Sequence, residues 1–304
     1  MAELRHTPIE VVSPESFSDY ELIDCGDFEK LERFGNVVTI RPESQAIWNR
    51  SLPESEWRRR ANVRYESTGT YSGNWEHIAR TPQRWPFQYK RNGLQLTLNL
   101  ELTKFKHVGV FPEQAVNWDF IYDRLQRMRT PQPRFLNLFA YTGGASLAAR
   151  AAGADVVHVD AIKQVISWSR SNMESSNLEG IRWVVEDALK FARREQKRGN
   201  TYNGIILDPP AFGHGPNGEV WKLEKQIGEL VRAVFSILDR DESFLIMNTY
   251  SLGFSSQLIG NLTRQVTEEQ KLDGKHWLGE LGLKAGTGHL LPLGVLYRFT
   301  RNVE

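Results

Sequence analysis

Apolar residues follow two different rhythms along this chain, and the change comes near residue 134. Ahead of it, short runs alternate with tight turns. Tyr20-Glu-Leu-Ile-Asp24 is one run, Cys25-Gly26-Asp27 a turn, residues 28–34 a second run, Gly35-Asn36 a turn and Val37-Val-Thr-Ile40 a third run. That succession predicts a β-meander. Leu94, Leu96, Leu98 and Leu100 alternate with Gln95, Thr97 and Asn99, the period-two mark of a half-buried strand. Residues 43–91 show no such period and read as irregular. Trp118, Ile121, Tyr122, Leu125 and Met128 return every three or four residues. They predict an amphipathic helix over 113–128, ended by Thr130-Pro-Gln-Pro133.

Beyond residue 134 strands and helices alternate. Short apolar runs at 135–138, 156–159, 181–185, 204–207 and 244–247 are separated by helical patterns at 145–152, 163–177, 188–197, 223–238 and 257–266. Such alternation implies a parallel sheet covered on both faces. Residues 277–283 and 295–300 are joined by a Gly/Pro-rich connection without a helix, which predicts an antiparallel hairpin at the sheet edge. The expected fold is therefore α/β: a doubly wound, mostly parallel, seven-stranded sheet over 104–304, preceded by a small β-rich domain over 1–103.

Composition narrows the setting. The 304 residues are 40% apolar and 25% charged with a net charge of +1, enough apolar content for a sizeable core. Any basic binding surface must then be local. A single cysteine, Cys25, rules out an internal disulfide and a cysteine-rich metal site. Residues 1–16 lack the apolar stretch of a signal peptide, and no eighteen-residue apolar run spans a membrane. A cytoplasmic protein without a metal is expected.

Ligands of open parallel sheets bind beyond the carboxyl ends of the strands, and the distinctive residues fall there. After the first strand comes Asn137-Leu-Phe-Ala-Tyr-Thr-Gly-Gly-Ala145. Gly143 and Gly144 allow a sharp turn and close approach to a ligand, or simply a tight strand–helix turn. This turn lacks the three glycines that cradle a pyrophosphate, which counts against NAD or FAD. Asp160 ends the second strand, where a carboxylate accepts from ribose hydroxyls or caps the next helix. Asp187, in Glu186-Asp187-Ala188, suits an adenine amino group or a helix cap. The fourth strand runs into Asp208-Pro-Pro-Ala-Phe212 and then Gly213-His-Gly-Pro-Asn-Gly218. Two prolines hold the backbone of Asp208, Phe212 offers a face to a planar substrate, and the glycines suggest a mobile substrate loop.

These motifs, taken in order, resemble those of the class I S-adenosylmethionine (SAM)-dependent methyltransferases, a Rossmann-like fold. Phe135-Leu-Asn-Leu-Phe-Ala-Tyr-Thr-Gly143 and His107-Val-Gly-Val-Phe-Pro-Glu-Gln114 are similar to the branch that acts on large-subunit ribosomal RNA. The resemblance covers about residues 104–304. It implies SAM as cofactor, held by Phe139, Tyr141, Thr142, Gly143, Gly144, Asp160, Ala161, Asp187, Ala188 and Asp208, with Asp208 and Phe212 at the reacting centre and RNA as partner.

One departure bears on the chemistry. Members that methylate carbon 5 of cytosine need a cysteine thiolate, which in similar sequences lies near the fifth strand. Here that strand ends Met247-Asn-Thr-Tyr-Ser251. Direct displacement by a nitrogen or oxygen nucleophile is expected instead, with Tyr250 and Ser251 able to line the pocket. His107, His158, His214 and His289 show no metal-ligand spacing. Residues 44–91 carry nine Lys and Arg against four Glu, interleaved with Trp48, Trp57, Tyr65, Tyr71, Trp75, Trp85, Phe87 and Tyr89. That mixture suits single-stranded nucleic acid, with Arg58, Arg59 and Arg60 as phosphate contacts, or else docking of the segment on the main domain. Two other functions fit the same residues: methylation of a protein or small molecule, and a SAM-binding RNA module without turnover.

Overall fold

The structure, a computed structural model, describes residues 9–15, 17–69, 72–250 and 253–303. Tyr71 and Ser251, together with residues 1–8 and 16, lie outside the described residues.

Among the described residues the first element is a short strand, β1 (Glu10–Val12). The meander follows as β2 (Tyr20–Gly26), β3 (Glu29–Phe34) and β4 (Val37–Pro42). Cys25 lies within β2 and is fully buried, so the turn falls one step later than expected, at Asp27 and Phe28. Both of those residues have positive φ.

The stretch read as irregular is ordered. It forms helix α1 (Glu54–Arg60), β5 (Val63–Gly69), β6 (Ser72–His77) and most of a hairpin, β7 (Arg84–Arg91) with β8 (Leu94–Glu101). The physical reasons are local. Helix α1 buries only Trp57 among charged neighbours, so it has no apolar stripe. β5 keeps its inward residues, Val63 and Tyr65, to its first half. β7 does alternate, with Trp85, Phe87 and Tyr89 buried. Pro86 interrupts the apolar signal but is tolerated, because β7 pairs only with β8 and keeps one edge free. β2–β6 form one five-stranded sheet in sequence order.

After a 3-10 turn at Pro112–Gln114 comes α2 (Ala115–Arg127). Then β9 (Arg134–Leu138), α3 (Gly144–Ala151), β10 (Asp155–Asp160), α4 (Lys163–Ser175), β11 (Ile181–Val185), α5 (Ala188–Lys197) and β12 (Gly204–Leu207) alternate. The glycine-rich segment past Asp208 is a small ribbon, β13 (Phe212–His214) with β14 (Val220–Lys222). The chain closes with α6 (Leu223–Ser236), β15 (Ser243–Thr249), α7 (Ser256–Glu269), β16 (Lys275–Lys284) and β17 (Leu290–Arg301).

The main sheet runs β1-β16-β17-β15-β12-β9-β10-β11. Only β17 is antiparallel to its neighbours. The expected doubly wound α/β sheet is present, with one strand more than seven because β1 adds in parallel to β16. The connection reverses direction between β9 and β12, which places the topological switch point there. No helix among the described residues is long and apolar enough to cross a membrane.

Besides the β1–β16 pairing, contacts in several places join the N-terminal part to the main sheet and its helices. The β7–β8 hairpin lies on α3 and α4: Asn172 accepts from the Asn99 amide at 2.8 Å and the Trp168 indole donates to Asn99 O at 2.6 Å. The buried Asp24 carboxylate gathers the Cys25 and Leu52 amides, the Trp57 indole and the Thr287 hydroxyl, all within 2.9 Å. Thr287 lies in the turn between β16 and β17, and His289 beyond it stacks on Trp48 with centroids 5.5 Å apart.

Candidate functional site

The turn after β9 is built from unusual backbone. Phe139, Tyr141 and Gly143 all have positive φ, which is costly for the two aromatic residues. Their neighbours over-determine the turn. The Tyr141 amide donates to Asp160 Oδ2 at 2.9 Å, and the Thr142 hydroxyl donates to Gly109 O at 2.6 Å. Asn172 donates to Thr142 O at 2.9 Å. Gly144 is required by packing: a Cβ there would lie 2.6 Å from the Trp118 ring. Gly143 forms the left-handed cap of α3.

Asp160 ends β10 beside this turn. Its two oxygens accept from the Tyr141 and Ile162 amides, each at 2.9 Å, so lone pairs remain for further donors. Burial raises its pKa, against the pull of these amide bonds. Ala161 follows in the same turn. Val185 stands opposite Asp160 in the β10–β11 register. Ile162 and Val185 are 52% and 42% exposed, two apolar side chains at neighbouring strand ends. Neither stands out in the sequence, where the only signal is an apolar residue within two positions of each strand-end carboxylate. Asp187 caps α5, accepting from the Lys190 amide at 2.8 Å, and Ala188 is buried behind it. Glu186 is taken up by an ion pair with Arg194.

Asp208 leaves β12 at the switch point. Burial pushes its carboxyl up to about 6, and Gln114 Nε2 donates to it at 3.2 Å. Gln114 belongs to a polar chain: Asn117 Nδ2 donates to Gln114 Oε1 at 2.9 Å and to Asn248 Oδ1 at 3.2 Å, while Arg298 donates to Asn117 Oδ1 at 2.9 Å. Asn248 follows Met247, which pairs with Leu207, so the chain links the ends of β12 and β15. The Gly-rich ribbon carries Phe212 out to 45% exposure, edge-on to His214 at 5.1 Å. Trp221 in β14 packs on Phe139 at 5.2 Å, so ribbon and glycine turn touch.

The other candidates resolve into structure. His158 is buried, bonded to Ser146 Oγ at 3.0 Å, and burial lowers its pKa to about 3. His107 is lowered to about 3 for the same reason, helped by Arg41. Trp57, Trp85, Phe87, Tyr89 and Tyr65 are buried; the indoles of Trp48 and Trp75 donate to Cys25 O and Thr103 O. These aromatics dock their segment rather than present free rings, because each indole needs a buried acceptor. Arg59 and Arg60 pair with Glu56, and Arg58 with Glu54 and Glu76. Among the described residues no group of three His, Cys, Asp or Glu could hold a metal ion.

A switch-point site with a carboxylate beside a glycine turn, apolar strand ends and no phosphate cradle defines an α/β protein that takes a nucleoside-type ligand. Residues 73–258 match the family model of the S-adenosylmethionine-dependent methyltransferases. The match takes in more than half of the chain, which belongs to that family, and SAM is its cofactor. A SAM-dependent methyltransferase structure from Agrobacterium tumefaciens is 34% identical, with a TM-score of 0.89 over 97% of this chain and 94% of that one. The ribosomal RNA large subunit methyltransferase I of Aeromonas salmonicida is 35% identical over 205 residues, 65% of this chain and 47% of the relative. The K/L enzyme of Shewanella frigidimarina is 26% identical over 153 residues, 49% of this chain and 20% of the relative. The chain thus spans half or less of the length of these curated relatives.

Proposed function

We propose that this chain transfers methyl from SAM to a base nitrogen of ribosomal RNA, in the cytoplasm, by direct displacement. Residues 104–304 would carry the transfer and residues 1–103 would support it. The observation that carries the chemistry is Asp208: a strand-end carboxylate fixed by two prolines, bonded to Gln114 and followed by an exposed aromatic ring. The RNA assignment draws on the names of the curated relatives.

The residues fit the cofactor. The glycine turn, shaped by the positive φ of Gly143 and the close contact of Gly144 with Trp118, would offer it backbone amides, Asp160 has lone pairs left for ribose hydroxyls, and Ile162 and Val185 would lie along an adenine. Phe139, Tyr141, Thr142, Gly143, Gly144, Ala161, Asp187 and Ala188 would complete the cradle. Bound SAM would supply a methyl group on a sulfonium, open to displacement by the acceptor nitrogen with the C–S electron pair left on sulfur. Asp208, ionised above pH 6, accepts the hydrogen bond of the acceptor N–H and passes its proton to water. Phe212 stacks on the acceptor ring. Alignment of donor and acceptor is the main contribution asked of the protein. The absence of a thiol step is supported by Cys25, whose thiol burial and the Asp24 charge push up to about 11.

A second reading, methylation of a protein or small molecule, gains from the buried aromatics and paired arginines of residues 44–91. Incubation with labelled SAM and either total RNA or total protein decides between them. Label in RNA, lost on Asp208→Ala, is the expected result. Label confined to protein overturns the first reading, and a folded protein that binds SAM but labels neither would be a small-molecule enzyme or a non-catalytic module.

A further inference from the structure

Directly after β15, Tyr250 leaves the strand next to that of Asp208. Its hydroxyl lies 3.1 and 3.2 Å from the two oxygens of Glu43, which stands just past β4 in the N-terminal sheet. Glu43 is only 2% exposed. It is held from three sides: Lys30 Nζ at 3.2 Å, the Gln45 amide at 3.2 Å and the Tyr250 hydroxyl. Burial opposes its charge, but Lys30 and the Gln45 amide keep its pKa below the usual range. Tyr250 itself is 44% exposed. Its hydroxyl is tied to a buried carboxylate, which fixes the direction of the ring.

Phe212 and Tyr250, both partly exposed aromatic residues, thus follow the carboxyl ends of the adjacent strands β12 and β15. Just past β15, Tyr250 offers a flat apolar surface at the end of the strand next to that of Asp208. A phenol clamped at its far end loses little freedom when a ring is laid on it, which is the physical content of preorganisation.

We propose that Tyr250 is the stacking plate for a planar heteroaromatic acceptor, and that Glu43 is a positioning residue that aims this plate from the N-terminal sheet. The inference rests on the base-methylation reading and narrows it: the acceptor is a ring, and the N-terminal sheet completes its site.

The test uses the full-length protein with two readouts. One is binding of a fluorescent single-stranded oligonucleotide to the complex with S-adenosylhomocysteine. The other is steady-state methylation of total RNA. Tyr250→Leu should weaken oligonucleotide binding about tenfold, the scale of one lost base stack, and raise KM for RNA similarly. The Kd for S-adenosylhomocysteine should not move. Tyr250→Phe and Glu43→Ala keep the ring but lose the clamp, so oligonucleotide binding should weaken and KM rise, by less than in Tyr250→Leu. Combining them should cost no more than either alone, and Glu43→Gln, whose amide oxygen still accepts, should recover part of the loss. Unchanged oligonucleotide binding in Tyr250→Leu overturns the plate, as does a wild-type protein that binds no oligonucleotide. Additive losses in the double variant overturn the role of Glu43. A wild-type protein that binds oligonucleotide yet labels no RNA sinks the base-methylation reading alone, and label on an aliphatic amine sinks both.

Discussion

Two carboxyls near the site differ in what they do for the molecule. Asp160 spends two lone pairs on its own turn and keeps the rest. Asp160→Ala should therefore weaken SAM by about 1.5–3 kcal/mol, the scale of a hydrogen bond to a charged group, as read by calorimetry; unchanged affinity would exclude Asp160 from the cofactor site. Glu113, beside Gln114, is buried, and burial raises it from 4.5 to about 7. A carboxyl raised in the folded state binds its proton more tightly there than in the unfolded chain. Its contribution to stability is fully present below pH 4.5 and is lost as pH rises through 7. Glu113→Gln should remove that loss, gaining on the order of 3 kcal/mol over wild type at pH 8 and little at pH 4. Urea unfolding at both pH values checks this, and equal effects at both would show that the proton is not involved. Residues of this kind were half legible. Asp160, Asp187 and Asp208 stand out because they end apolar runs. Glu43 does not, since its partner Tyr250 is more than two hundred positions away and no local pattern joins them.

Helix α1 shows how an element escapes pattern reading. Its seven residues bury one side chain, so neither periodicity nor a long apolar face marks it, while the β-α alternation past residue 134 repeats often enough to be unmistakable. The same helix separates two roles for residues 44–91. Trp57 donates to Asp24 at 2.9 Å and is fully buried. Trp57→Ala should cost about 3–5 kcal/mol of stability, with RNA affinity changed only in proportion to the folded fraction. Arg58, Arg59 and Arg60 lie on the surface, where ion pairs with glutamates contribute little. Replacing all three with alanine should leave the melting temperature nearly unchanged. If they meet phosphates, the log–log salt slope of RNA binding should flatten by up to about 2. An unchanged slope would place the RNA surface elsewhere.

At the scale of the molecule, the break in texture near residue 134 does not mark a physical seam. The β7–β8 hairpin belongs to the first part by sequence, yet its Leu96, Leu98 and Leu100 are buried and it covers α3 and α4. A fragment of residues 104–304 should lose that cover, expose apolar helix faces and aggregate on expression, whereas one starting at residue 84 should stay in solution. Size-exclusion chromatography of the two fragments distinguishes them, and a monomeric, SAM-binding 104–304 fragment would contradict the expectation. No sequence rhythm announces this, because a hairpin alternates in the same way whichever body it lies against.

The pairing of β1 with β16 also sets a timetable. Glu10 meets Gly279, so the first described strand finds its neighbour only after about 270 further residues have been made. At roughly 5–20 residues per second that is a wait on the order of 15–50 s. Asp24 and Trp48 wait for Thr287 and His289 in the same way. The meander can pair strand to strand as it emerges, but its lock onto the main sheet waits for residues 279–289. A ribosome stalled before residue 279 would hold a chain whose β1 and meander remain open to protease, because the β16–β17 hairpin is the piece that latches them to the main sheet.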